Sequence, residues 1–561
     1  NNMQKRRTYL PTTTLYGAKE GGKADIGEFD KNDYLLELTA AYRKDIGKHS
    51  INGVVGYSFQ SFNYESLYAG NSQFITDGFL YNNLGAGAYP KPSVGSSASK
   101  TEMASFFGRI GYTYAGKYLL TATLRADGAS NFADNNRWGY FPSVALGWRF
   151  SEEAFMQNLQ DVISNGKLRV SVGQTGNSNI GNKAISYYQV GNNNIFGGTE
   201  HKGVYLKQMG NPDLSWETTS EVNVGLDLGF INNRINVTAE YFYKVVSDLL
   251  DYRSLLSYQE VDKIAANIGE TQSTGFELTI NTRNFQQKDF TWNTDFTFSL
   301  YRDKWKDRGP YWKPSAYSFY DAPLRGWYGY LSDGLVQPGE EIAHMKGAIP
   351  GQVKLKDIDG YAYNEDGTMK VDKYGIPVKS GKPDGILNDA DKVFYGCTDP
   401  GFMLGLNNTF TYKDFDLSFY FYGQFNMLNA GSYKDTWLTG DGQMNIDRLG
   451  TGYNMPVSVK EVWSNDNPNG TRPGYFQPQS SWGIGDYYVD KTWFIRCRNI
   501  TLGYTLPKTL GKGLFSNLRV YADINNPFVI TPYDGLDPET DNSNYAYPNV
   551  RSFSFGVDIS F

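Results

Sequence analysis

Residues 552–561 read Ser-Phe-Ser-Phe-Gly-Val-Asp-Ile-Ser-Phe, a strict two-residue alternation. One parity is Phe553, Phe555, Val557, Ile559 and Phe561; the other is Ser552, Ser554, Gly556, Asp558 and Ser560. Period two is the signature of a strand with one apolar face and one polar face. The pattern recurs upstream. In 221–230 Val222, Val224, Leu226, Leu228 and Phe230 oppose Glu221, Asn223, Gly225, Asp227 and Gly229. In 416–425 Leu417, Phe419 and Phe421 oppose Asp416, Ser418, Tyr420 and Tyr422; in 291–299 Trp292, Phe296 and Phe298 oppose Asn293, Asp295, Thr297 and Ser299. A soluble antiparallel sheet, wet on one side, alternates in the same way. Length separates the two readings. These segments run about ten or more residues, enough to cross a bilayer at a tilt, where soluble strands average about five or six.

The connections alternate short and long. Short ones fall near 45–48, 115–117, 231–233, 284–289, 413–414 and 508–516; long ones fill 61–100, 128–139, 175–214, 247–270, 302–399, 428–490 and 529–549. Turns on one side and long loops on the other are the asymmetry of outer-membrane barrels. The expected fold is therefore an all-β, antiparallel transmembrane β-barrel with about 15–16 strands over 1–561, including one near 8–20. Residues 151–165, with Phe155, Leu159, Val162 and Ile163 at helical spacing, read as a short amphipathic helix or a structured turn.

Composition agrees. The 561 residues include 43 Tyr, 34 Phe, 11 Trp and 61 Gly, a balance that favours strands over helix bundles and excludes disorder. The net charge of −6 without a basic cluster leaves no electrostatic footprint for nucleic acid. Two cysteines, Cys397 and Cys497, supply neither a disulfide framework nor a four-cysteine zinc site. No apolar run of about 18 residues offers a transmembrane helix, and the first residues lack a signal-peptide core. Because an open sheet edge in lipid is costly, the chain reads as the C-terminal part of a larger barrel.

Several blocks resemble the SusC/RagA family of TonB-dependent outer-membrane transporters. They are Tyr118–Gly128 followed by Asn136-Arg-Trp-Gly-Tyr-Phe-Pro-Ser143 and Gly147-Trp-Arg149; Leu168-Arg169 with Gly173-Gln-Thr-Gly-Asn177; Asn211-Pro-Asp-Leu214 with Trp216-Glu-Thr-Thr219 and Asp248-Leu-Leu250; Asn267-Ile-Gly-Glu270 with Gly275-Phe-Glu-Leu278; Asn499-Ile-Thr-Leu-Gly-Tyr504; and the Phe-rich terminal strand. They keep the family's order from about residue 30 to 561. The resemblance implies a 22-stranded barrel whose N-terminal plug and first strands are not in this chain. It also implies a SusD-like surface lipoprotein as lid, energy from TonB–ExbB–ExbD through the plug, and a possible homodimer of such pairs. The location implied is the outer membrane of a Bacteroides-type Gram-negative cell.

Two stretches carry candidate site chemistry. Asp357-Ile-Asp359-Gly360, interrupted by 361–383, continues as Asp384-Gly-Ile386-Leu-Asn388-Asp-Ala-Asp391. With the interruption removed, Asp357, Asp359, Asp384, the Ile386 carbonyl, Asn388 and Asp391 take the ligand positions of a twelve-residue calcium loop, with Gly385 at its sixth position. Asp391 stands where the usual bidentate Glu would be. The two readings are a structural Ca²⁺ site in an extracellular loop and a solvated acidic loop; no organic cofactor is indicated. In the loop 302–337, Trp305, Trp312, Trp327 and Tyr328 are candidate substrate-stacking residues, against packing of the loop on itself and an aromatic girdle.

Enzyme signatures are poor. His49, His201 and His344 fall in no metalloprotease motif, and Gly17–Lys23 mimics a phosphate loop but continues with Ala24 in place of Ser or Thr. Together with the resemblance, this implies a non-enzymatic importer of an oligosaccharide or peptide nutrient. A surface glycan-binding or adhesin-like β protein is the alternative, and an outer-membrane hydrolase the third reading.

Overall fold

The computed structural model describes residues 2–430, 457–474, 485–487, 489–507, 516–533, 537–540 and 547–561. One sheet of sixteen strands runs in sequence order. Its strands are β1 Asn2–Leu10, β2 Lys23–Ile46, β3 His49–Ser72, β4 Ser93–Tyr114, β5 Tyr118–Ala129, β6 Trp138–Trp148, β7 Ile163–Asn177, β8 Glu217–Phe230, β9 Ile235–Ser247, β10 Glu270–Gln286, β11 Phe290–Asp307, β12 Phe402–Tyr412, β13 Phe415–Ala430, β14 Val489–Thr505, β15 Asn517–Ile530 and β16 Ser552–Ser560. The chain divides into two compact units, residues 1–146, 171–220 and 246–268 in the first and the remainder in the second.

The alternation predicted from sequence is present, and it is inside out. Phe553 and Phe555 are 63% and 85% exposed, and Val222 and Val224 are also exposed, while Gly225 and Gly229 on the opposite parity are buried. A soluble sheet would bury the apolar parity. Here that face meets hydrocarbon, and the polar parity carries ion pairs. Arg169 binds Asp227 through two bonds of 2.8 and 2.9 Å and Glu240 at 2.6 Å. Gly225 makes room for that guanidinium, since a Cβ there would meet it at 2.8 Å. Arg519 and Asp416 repeat the device above Gly503, at 2.9 and 2.6 Å.

In the first unit, β2 and β3 pair over 24 residues each, from Lys23↔Ser72 to Ile46↔His49, around a turn in which Gly47 has φ +59°. At about 3.3 Å per residue and a tilt near 45°, such strands rise about 56 Å, against about 30 Å of hydrocarbon. Both therefore project far beyond the membrane, and half of the expected loop 61–100 is strand. The irregular connection shrinks to 73–92. Of the strand expected near 8–20, only 8–10 is strand, the end of β1 before Pro11; residues Leu15–Glu20 instead form a helix capped by Thr14 and by Gly21 at φ 65°. The glycines of the phosphate-loop mimic thus serve a helix and its end. Residues 150–159 form two 3₁₀ segments, Phe150–Glu152 and Ala154–Leu159, where an α-helix or turn was expected.

Short turns stand at 47–48, 115–117, 231–234, 287–289 and 413–414. Residues 508–515 of the expected turn at 508–516 and much of the loop 428–490 lie outside the described residues. Buried apolar side chains collect mainly in the connections and at the strand ends beside them. In the first unit Phe132, Phe141, Leu214, Trp216 and Ala265 form one cluster; in the second Leu335, Met345, Val353, Leu355, Leu387 and Trp463 form another.

Candidate functional site

The long connection between β11 and β12, residues 308–401, is a folded body. Gly326–Gly329 pairs with Val393–Cys397, and Ser332–Leu335 with Val353–Leu355, over the cluster that buries Met345 and Leu355. Where this body meets the loop ends of β10, β11, β13 and β14 there is a cavity of about 590 Å³. Its lining is mixed in charge, with Arg302, Lys304 and Lys491 alongside Asp303, Asp321 and Asp399, and it includes Tyr301, Phe394, Tyr395 and Cys397.

Part of this charge is internally paired. Lys304 donates to Asp321 at 2.8 Å and holds that carboxyl below its usual range. Arg325 binds Asp399 at 3.0 Å, and Arg302 donates to the Gly401 carbonyl at 2.6 Å. Asp303 and Lys491 have no ion-pair partner among the described residues. Burial pushes the Cys397 thiol up, and nearby Asp399 adds to the effect. The cavity can therefore receive a ligand carrying both a cation and an anion. Sequence reasoning missed it because its lining comes from six separated segments. The one local signal was Arg302-Asp303-Lys304, a run of charge closing a strand of aromatic and polar residues.

The four aromatic candidates do not form one open stacking surface. Trp305 and Trp312 are brought together by Arg308, whose guanidinium lies 4.8 Å from one ring and 5.0 Å from the other. Trp312 meets Tyr320 edge-on at 5.6 Å, and Tyr320 stacks on Tyr374 at 4.1 Å. Tyr328 packs on Tyr317, Phe319 and Phe394; its hydroxyl is buried without a partner and burial pushes it up to about 12. Trp327 is exposed. These contacts pack the loop on itself.

The acidic candidates are gathered into one turn. The interruption 361–383 loops out as a ladder of bridges, Tyr361↔Lys379, Tyr363↔Met369 and Val371↔Pro377, and returns so that Gly360 lies against Asp384. Asp357 accepts from Gly385 at 2.7 Å, Asp359 from Gly381 at 2.6 Å, and Asp384 from Ile386 at 2.9 Å. The Ile386 carbonyl accepts from the Asn388 amide. Asp391, fully buried, accepts from the backbone of Ile358 and Asp359 through one oxygen and of Asn388 through the other. Among the described residues no three acidic, His or Cys side chains converge as a metal-ligand group.

Comparison with known proteins places these features. A family model for the TonB-dependent receptor-like β-barrel matches residues 3–376. The TonB-dependent receptor P3 of Formosa agariphila is 32% identical over 594 residues, covering 99% of this chain and 55% of that protein. The TonB-dependent receptor SusC of Bacteroides thetaiotaomicron is 29% identical over 557 residues, covering 96% of this chain and 51% of that protein. Among solved structures, the RagAB peptide transporter superposes with a TM-score of 0.80 at 21% identity, over all of this chain and 59% of its own. The chain spans about half the length of the curated relatives it matches.

Proposed function

The chain belongs to the TonB-dependent receptor-like β-barrel family of outer-membrane receptors and transporters, and from that premise we propose that it forms the wall and mouth of a nutrient importer. A SusD-like surface lipoprotein caps the mouth, and TonB with ExbB and ExbD drives release through a plug borne elsewhere in the full protein, whose barrel has 22 strands. The observation that carries the cargo reading is the mixed-charge cavity at the loop ends of β10–β14, with Asp303 and Lys491 both free of ion-pair partners among the described residues. An uncharged oligosaccharide gains nothing from unpaired charges that must be desolvated, whereas a peptide pairs with both. A peptide is therefore favoured over a glycan.

A calcium ion at the 357–391 turn belongs to the same proposal as a structural element. The oxygen-only set of Asp357, Asp359, Asp384, the Ile386 carbonyl and Asn388 has the chemistry this cation takes. Asp391, engaged by backbone N–H groups through both oxygens, acts as the cap of that turn.

The test is uptake by cells carrying the full-length gene and its lipoprotein partner. Labelled oligopeptides of mixed charge should enter, and entry should stop on dissipating the proton gradient. The Asp303→Asn and Lys491→Gln variants should each lower uptake several-fold. Surface binding without entry would favour the adhesin reading, and entry of neutral oligosaccharides alone would overturn the cargo assignment.

A further inference from the structure

On β2–β6 of the first unit, a recess of about 580 Å³ opens on the apolar parity of the sheet. Its floor is made of small residues, Ala40, Gly53, Gly108 and Ala122, which share that face by register: Ala40 is opposite Val55, Val55 opposite Gly108, Gly53 opposite Ile110, and Ile110 opposite Ala122. Its walls are Tyr42, Val55, Ile110, Leu124 and Val144, all exposed. Toward the long-loop end stands an aromatic pair, Phe106 and Trp138, stacked at 6.1 Å, with Trp138 laid over Gly128. Beyond it, still on the same strand β6, a second cavity of about 480 Å³ is lined by Asn135, Asn136, Gln174, Thr218, Ser220 and Ser247 beside Trp138 and Tyr140.

We propose that this strip binds one outer-leaflet lipid with an uncharged, hydroxyl-rich headgroup, its acyl chain in the recess and its headgroup in the upper cleft. Three observations converge. The recess faces hydrocarbon, so the medium that fills it is an acyl chain. The exposed Trp–Phe pair with Tyr140 sits where aromatic girdles mark the boundary between chains and headgroups. The cleft above offers amides and hydroxyls, the donors and acceptors that hydroxyl groups need, next to an aromatic face. Its lining contains Asp248 and neither Lys nor Arg, so a phosphate there would find no cation and one like charge. Both cavities fall in the size range of ligand sites, about 300–1,000 Å³. The inference uses only the membrane-facing wall and stands apart from the identity of the cargo.

The experiment uses the full-length protein extracted from outer membranes in mild detergent, with native mass spectrometry as the readout. The probes are monogalactosyl diacylglycerol and phosphatidylglycerol of equal chain length. Wild type should bind the galactolipid at least tenfold more tightly. Gly53→Leu with Gly108→Leu fills the floor; a Cβ at these positions meets nothing nearer than 3.8 and 3.9 Å, so the change is tolerated by the wall. This pair should lose both lipids at least tenfold. Gln174→Ala with Asn136→Ala should keep the chain but bring the galactolipid down to the level of phosphatidylglycerol, and this variant carries the test if the filled one does not fold. Equal binding of both lipids by wild type, or unaltered binding by the folded filled variant, would overturn the proposal. So would a wild-type dimer that the filled variant turns into monomers, since a second copy would then occupy the strip.

Discussion

Arg496 offers the sharpest test of how a connection is held to the barrel wall. Its side chain is 4% exposed on β14 and binds two carboxylates of the last connection, Asp537 at 2.6 Å and Glu539. Asp537 in turn accepts from the backbone of Glu539 and Asn549, both at 2.9 Å, so it organises the segment it belongs to. Replacing Arg496 by Ala leaves two nearly buried carboxylates with the partial help of Arg498, which also reaches Glu539. Breaking a buried pair by removing one partner costs about 3–5 kcal/mol. At about 1.4 kcal/mol per decade, the population in which the Asp537–Glu539 stretch is detached from β14 rises at least roughly 100-fold. Brief protease exposure of the folded protein in detergent measures that population when cleavage is slower than reclosing. Arg498→Ala should raise cleavage only about fivefold, because that guanidinium is a third exposed and solvent screens it. Adding Asp537→Ala to Arg496→Ala removes an orphaned charge and should recover more than tenfold of the loss. Cleavage of Arg496→Ala within threefold of wild type, or a larger effect at Arg498, would refute the pinning argument.

Three further outcomes are expected. Terbium added to the protein should luminesce through Tyr361 and Tyr363 and be displaced by millimolar calcium, and Asp384→Asn should abolish the signal; a signal unchanged by that substitution would remove calcium from the 357–391 turn. Alkylation of Cys397 should be slow and keep accelerating above about pH 8.5, the ordinary thiol range, because burial and Asp399 disfavour the thiolate; Asp399→Asn should move the rate profile to lower pH, and a profile centred at the ordinary value in wild type would contradict the buried setting. Arg308→Ala removes a cation shared by Trp305 and Trp312 and its bonds to the Phe319 and Tyr320 carbonyls; a loss of about 2 kcal/mol should lower hydrogen-exchange protection of 308–322 roughly 30-fold, and unchanged protection would mean the aromatic body stands without it.

The strands were legible wherever one face meets lipid and the other does not. Val222 to Phe230 and Phe553 to Phe561 alternate because two different solvents select the two parities. Above the membrane that contrast disappears. Residues 61–72 of β3, Ser-Phe-Asn-Tyr-Glu-Ser-Leu-Tyr-Ala-Gly-Asn-Ser, and 93–100 of β4 have no lipid to select one parity, so they read as a loop while the backbone ladder continues through them. The ladder persists there because adjacent strands already lie in register, and pairing costs little once the neighbour is fixed. Sequence alternation therefore measured the lipid-embedded part of each strand, not its whole length.

The site was less legible for a related reason. The acidic turn could be assembled on paper because its residues keep their order once 361–383 is looped out, and Gly360 does lie against Asp384. The mixed-charge cavity has no such order. Asp303 precedes Asp399 by a whole folded connection, and Lys491 comes from another strand pair. What brings them together is the pairing of β11 with β12 across that connection, with Ser299 opposite Met403. The same pairing explains why Trp305 and Trp312 are poor candidates for stacking on cargo. Once residues 308–401 must fold over the end of β11, their rings are the apolar surface nearest to it, and Arg308 holds them to the loop. A free aromatic platform would have required a shorter connection, one with no core of its own to fill.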